Sequence, residues 1–149
     1  MYRVLFVCHG NICRSPMAEF LLKDYVKKLK KEDHFYIESA ATSSEEIGNP
    51  VHSGTKRILN SLGIDCSLKV ARKINMEDFH TFDYIIGMDH YNIANLKRFY
   101  NSEEKIYALL DFANQKRDIR DPWYTGDFKE TYEDILMGIE AFLHFLGII

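Results

Sequence analysis

A chain of 149 residues with 28% charged and 46% hydrophobic side chains has an ordinary soluble composition and reads as one domain, residues 1–149. That length suffices to bury roughly 68–70% of the surface exposed by the unfolded chain. A net charge of −3 argues against nucleic-acid binding, and no apolar segment reaches the ~18 residues that a bilayer span requires.

In chain order, Val4 to Val7 is an apolar run that reads as a short buried strand ending at Cys8. Gly10 and Asn11, residues that readily take positive φ, then turn the chain. Ser15-Pro16 reads as a helix start, a capping residue followed by proline at the first helical position. From Pro16, Ala18, Leu21, Leu22, Tyr25 and Leu29 follow helical spacing, with Glu19, Lys23, Lys27 and Lys30 on the opposite, wet face. Phe35 to Ala40 reads as a second strand, and Thr42 to Pro50 has loop composition. A helix over Thr55–Leu62 is expected to bury Ile58, Leu59 and Leu62 and to stop at Gly63. Asn75 with Asp78 marks the start of a short helix. A third strand (Phe82–Met88), a helix (Asp89–Tyr100) and a fourth strand (Lys105–Leu110) follow. After a polar loop, Ala113–Gly126, the last helix runs from about Asp127 and buries Tyr132, Ile135, Leu136, Ile139, Phe142, Leu143 and Leu146.

Strands alternating with helices specify an open parallel sheet with helices on both faces. Ligands bind such sheets beyond the carboxyl ends of the strands. That rule brings three loops to one edge: Cys8–Ser15, Ala41–Asn49 and Ala113–Gly126.

The first of these loops carries the chemistry. In Cys8-His9-Gly10-Asn11-Ile12-Cys13-Arg14-Ser15-Pro16, strand end, tight turn and helix start make an anion cup. Unpaired amide groups and the positive end of the helix dipole converge there. Arg14 adds a planar fork suited to two phosphate oxygens. A cysteine at the mouth of such a cup is expected to be thiolate at neutral pH, a nucleophile aimed at the tetrahedral anion the cup holds. The missing Gly-Lys-Ser/Thr ending excludes a P-loop nucleotide enzyme.

This run resembles the Cys-x-x-Asn-x-Cys-Arg-Ser-Pro signature of the low-molecular-weight protein tyrosine phosphatases. The resemblance extends over nearly the whole chain, through Ser39-Ala40-Ala41-Thr42-Ser43, Ile47-Gly48-Asn49-Pro50 and Asp121-Pro122-Trp123-Tyr124. It implies a four-stranded sheet in the order 2-1-3-4. It also implies hydrolysis of phosphotyrosine and aryl phosphate monoesters through a cysteinyl-phosphate. Residues 8 to 15 (Cys8, His9, Gly10, Asn11, Ile12, Cys13, Arg14 and Ser15) would bind the phosphate. Asp121 would be the general acid, because a phenolate leaving group, whose conjugate acid has a pKa near 10, needs a proton. Asp118 is the nearest competitor but lacks the motif. Trp123 and Tyr124 would wall a slot for the phenyl ring.

Ser15's hydroxyl is expected to serve the thiolate, the helix cap, or both, and Asn11's amide to tie the loop together. Cys13 would capture an oxidised Cys8 as a disulfide, as the family's second cysteine does. The His9 imidazole is expected to face solvent. Two departures from the family pattern stand out. Glu45 falls where an aromatic commonly lines the pocket, and it either favours basic flanks on a phosphopeptide or points to water. Thr125 separates Tyr124 from Gly126, where many relatives run straight on.

Relatives that dephosphorylate arginine tend to carry threonine at the position of Ile12, whose bulk suits a tyrosine-type pocket. Arsenate reductases of similar fold need a distant cysteine pair, and only Cys66 lies outside the loop. A non-catalytic phosphate- or phosphotyrosine-binding module would have lost the nucleophile, the arginine or the acid. The expected partners are phosphotyrosine proteins or peptides, with inorganic phosphate as product, no cofactor, and a monomeric or weakly dimeric state. The start lacks the apolar run of a secretory signal, and an odd cysteine count suits a reducing compartment, so a cytoplasmic location is expected. Six histidines show no zinc-like spacing with the cysteines, so no structural metal is expected.

Overall fold

A computed structural model describes residues 1–149. Four parallel strands, β1 (Tyr2–Cys8), β2 (Phe35–Ala41), β3 (Tyr84–Gly87) and β4 (Ile106–Ala108), form one open sheet in the order β2-β1-β3-β4, as expected. The helices are α1 (Arg14–Lys28), α2 (Ser53–Ser61), α3 (Met76–Thr81), α4 (His90–Tyr100), α5 (Pro122–Thr125) and α6 (Phe128–Phe145).

The central strand explains the two-layered cover. Val4, Leu5, Phe6 and Val7 are all fully buried, as a strand with helices on both faces must be. Alternation splits them. Val4, Phe6 and Cys8 join Met17, Leu22, Ile135, Ile139 and Phe142 in the larger core beneath α1 and α6. Leu5 and Val7 join Ile74, Phe82, Leu96 and Tyr100 on the other face. Cys8 pairs in register with Ala41, and Val7 with Gly87, so the loops after β1 and β2 leave the sheet side by side.

Several boundaries differ from expectation, each for a local reason. Helix α1 begins at Arg14, with Cys13 in the cap position and making no side-chain capping bond; Ser15 lies inside the first turn. Arg14 to Glu19 are all buried, because the first turns of α1 are packed all round rather than amphipathic. Glu19, expected on the wet face, is therefore inside, and Val26 takes the buried place expected of Leu29. Strand β3 starts two residues late because the Phe82 amide still donates to Asp78 at the end of α3. Strand β4 is cut short: Lys105 sits at φ 66, and Leu109–Ala113 coil into a 3₁₀ turn. Leu62 is exposed and Ile58 only half-buried, while Gly54 and Thr55 are buried with Leu59. The capping boxes Asn75/Asp78 and Asp89/Asn92 start α3 and α4.

Candidate active site

The loop after β1 folds around the sulfur of Cys8. The amides of Asn11 and Ser15 point at Sγ from 3.3 and 3.4 Å, and the Ser15 hydroxyl lies at 3.1 Å. The turn needs a left-handed residue, and Asn11 supplies it at φ 59. Its side chain, fully buried, then ties three segments together. Nδ2 donates to Ser15 Oγ at 2.8 Å and to Ser39 Oγ at 2.9 Å, and Oδ1 accepts from the Arg72 amide at 3.1 Å. The Ser15 hydroxyl, which accepts from Asn11, keeps its own proton available to Cys8 Sγ, within hydrogen-bond distance of it. Ser15 therefore attends the sulfur and is not the cap of α1.

Beneath the loop the chain continues inward. Ser39 Oγ donates to Glu19 Oε1 at 2.5 Å, and Lys69 Nζ donates to the Ser39 carbonyl at 2.8 Å while lying 3.5 Å from Glu19. Burial pulls the Lys69 pKa down, with Glu19 opposing it. The buried Glu19 carboxylate is thus paired and bonded, as a charge in that position must be.

Arg14 is 2% exposed. Nη1 donates to Asp89 Oδ2 at 2.7 Å and to the Ile119 carbonyl at 2.9 Å, and Nη2 approaches Asp121 Oδ2 at 3.4 Å. Nε is buried without a hydrogen-bond partner in the protein. Burial alone would lower the Arg14 pKa; Cys8, Asp89 and Asp121 outweigh it and raise the value, so the guanidinium is a permanent cation.

The third loop brings Asp121 to the same place. Asp121 caps α5, accepting at Oδ1 from the Trp123 amide at 3.0 Å, with buried Pro122 as the first helical residue. Cys8, Ile12, Arg14 and Asp121 line a cleft of about 120 Å³ walled by Glu45, Glu46, Trp123 and Tyr124. Trp123 and Tyr124 are exposed on its rim. Thr125 ends α5, and Gly126 takes the left-handed C-cap, so the extra residue is absorbed as helix. Glu45 Oε2 meets His9 Nε2 at 3.0 Å across the mouth of the cleft, so its carboxylate both lines the wall and touches water, and the imidazole is half exposed. Asp118 instead pairs with His90 at 2.6 Å and does not line the cleft.

Cys13 is buried, and burial, reinforced by Cys8 and Asp121, pushes its thiol far above the ordinary range. All three cysteines are free thiols. No group of three or more His, Cys, Asp or Glu side chains is arranged to hold a metal ion, and no helix is long and apolar enough to cross a membrane.

Asp89, Ser39, Glu19, Arg72 and Glu46 were not singled out from sequence. Asp89 carries a visible signal only as a helix cap, which does not disclose its bond to Arg14.

The open parallel sheet thus gathers a cysteine, an arginine and an aspartate at its carboxyl edge. The family model for the low molecular weight phosphotyrosine protein phosphatases matches residues 3–147, and the chain belongs to that family. It is 42% identical over 147 residues to the low molecular weight protein-tyrosine-phosphatase YfkJ of Bacillus subtilis, covering 96% of this chain and 94% of that protein. The YfkJ crystal structure superposes with a TM-score of 0.93, covering 99% and 95% of the two chains. The low molecular weight protein tyrosine phosphatase of Streptococcus pyogenes gives 0.88 at 46% identity, covering 98% and 93%. A drosophila arginine phosphatase gives 0.89 at 33% identity, covering 96% of each chain.

Proposed function

We propose that this chain hydrolyses phosphotyrosine monoesters in two steps. Cys8 Sγ attacks phosphorus in line, the S–P bond forms, and the P–O bond to the ring breaks. Arg14 and the loop amides hold the equatorial oxygens through the charge redistribution. The departing phenolate takes a proton from Asp121. Water then attacks phosphorus, its proton returns to the Asp121 carboxylate, and the S–P bond breaks to release inorganic phosphate and the thiolate. Ser15's proton, available to Sγ, stabilises that leaving thiolate. Trp123 and Tyr124 flank the ring. No metal or organic cofactor enters either step.

The observation that carries this reading is one cleft holding Cys8 Sγ under two amides and a hydroxyl, with Arg14 and Asp121 on its wall. Ile12 at that wall supports tyrosine over arginine as the phosphate carrier. The test is a panel of phosphotyrosine, phosphoserine and phosphoarginine peptides against the wild type and Cys8→Ser. Turnover of phosphotyrosine alone, abolished in Cys8→Ser, is the expected result. A faster rate on phosphoarginine overturns the substrate, and residual turnover in Cys8→Ser overturns the nucleophile.

A further inference from the structure

The rim residue Trp123 is held from behind by a side chain that has no part in the chemistry above. His52 precedes α2, and its Nδ1 accepts from the Gly54 amide at 3.0 Å, capping that helix. Nδ1 therefore carries the lone pair, and the proton sits on Nε2. On one side the ring stacks on Phe128 at 5.0 Å and 18°. On the other it meets the Trp123 indole edge-on at 5.6 Å and 79°.

Two further contacts make this junction rigid and tie it to the phosphate loop. The His52 amide donates to the carbonyl of Ile12 at 2.8 Å, and Thr55 Oγ1 donates to the carbonyl of Cys13 at 3.1 Å. Gly54 makes the stacking possible. A Cβ at that position would come within 2.5 Å of the Phe128 ring, so the helix accepts a glycine in its first turn in order to seat the aromatic. The imidazole thus joins the start of α2, the acid loop and the start of α6, while the His52 amide and the Thr55 hydroxyl join that junction to the loop after β1.

We propose that His52 is a positioning residue for the aryl slot: its ring fixes the Trp123 indole against the cleft, and the cleft binds a phenyl group more tightly for it. This rests on the reading of Trp123 as a wall for the substrate ring. The phosphate cup does not depend on the imidazole: His52 meets the loop only through its backbone amide, and Asn11, Asp89 and Ser39 supply the side-chain bonds that hold Arg14 and the loop.

Two substitutions separate the ring from the cap. His52→Asn keeps a capping oxygen and removes the aromatic; His52→Phe keeps the aromatic and removes the cap. The readouts are Ki for benzylphosphonate, a non-hydrolysable aryl ligand, and Ki for inorganic phosphate, which fills the cup alone. His52→Asn is expected to weaken benzylphosphonate about three- to tenfold, the range of one aromatic pair, and to leave phosphate within about twofold. His52→Phe is expected to bind both ligands like the wild type and to melt about 2–4 °C lower through the lost cap. Trp123→Ala serves as the control for the wall. If Trp123→Ala weakens benzylphosphonate and His52→Asn does not, the proposal fails and the wall stands. If Trp123→Ala has no effect, both fail. A parallel loss of phosphate affinity in His52→Asn, or a loss of benzylphosphonate binding in His52→Phe equal to that in His52→Asn, also overturns it.

Discussion

Asp89 is the residue whose removal tests the site's architecture most directly. Its carboxylate does two jobs with two oxygens. Oδ1 accepts from the Asn92 amide at 2.8 Å and starts α4, while Oδ2 accepts from Arg14 Nη1 at 2.7 Å. The pair is enclosed, with side chains 2% and 14% exposed. Breaking a buried pair by deleting one partner costs about 3–5 kcal/mol, because the remaining charge stays desolvated. The helix cap adds about 1 kcal/mol. Arg14 keeps the Ile119 carbonyl and a longer contact to Asp121, which places the pair at the low end of its range. Asp89→Ala is therefore expected to lose about 4 kcal/mol, and Asp89→Asn, which retains an oxygen for the cap, about 3 kcal/mol. For a domain of this size the alanine variant should melt about 8–16 °C lower. With the guanidinium no longer anchored, kcat/KM on an aryl phosphate should fall about 100-fold or more. Thermal melts followed by circular dichroism, with kinetics taken well below each midpoint, provide both readings. An alanine variant within about 1 kcal/mol of wild type, with kcat/KM unchanged, would show that Arg14 is held by something other than this pair.

Asp121→Asn, which keeps an oxygen for the Trp123 amide, should slow phenyl phosphate about 10²–10⁴-fold and an ester with an acidic leaving group far less; equal losses on both strip Asp121 of the acid role. Phosphotyrosine peptides with basic neighbours should show the higher kcat/KM, because Glu45 and Glu46 both line the cleft, and Glu45→Gln should narrow that gap. An unchanged preference removes the role of Glu45. Iodoacetate at pH 7 should modify Cys8 before Cys13, whose thiol is held protonated by burial, and phosphate should protect it. After peroxide, thiol treatment should restore the wild type but not Cys13→Ser, and equal recovery dismisses the protective disulfide. Tyr100 is buried, donates to the Asn75 carbonyl at 2.9 Å, and has its pKa raised by burial. Its contribution is whole below the unfolded value of about 10 and is lost as pH climbs above it, because the unfolded chain then releases the proton first. The urea midpoint should therefore drop between pH 8 and 11, and by less in Tyr100→Phe; an identical drop assigns the alkaline limb to other groups.

How much of this could be read from the chain depends on the distance over which each residue acts. The strand before Cys8, the turn at Asn11, the helix start at Asn75 and the proline after Asp121 are local signals, and the structure has each of them. Strand order was not local; it came with the family likeness. Periodicity failed where its premise failed. Glu19 lies on what a helical wheel calls the wet face, but the first turns of α1 have no wet face, since they run under the loop they start. Leu62 and Ile58 failed for the opposite reason: the close approach of Phe128 at Gly54 sets which side of α2 is covered.

The supporting residues at the site share a different property. Arg14 reaches Asp89 across 75 positions, Arg72 donates to Asn11 across 61, and Asn11 donates to Ser39 across 28. None of these pairs has a spacing that chemistry would single out, because the sheet, not the chain, brings them together. What the local motif contains is the set of groups that meet the phosphate. What it omits is the set that denies those groups any other position: an aspartate that occupies one arm of the guanidinium, and a serine and an amide that fix the asparagine. A loop with the same nine residues but without Asp89, Ser39 and the Arg72 amide would present the same chemistry in many arrangements. The long-range bonds are what reduce it to one.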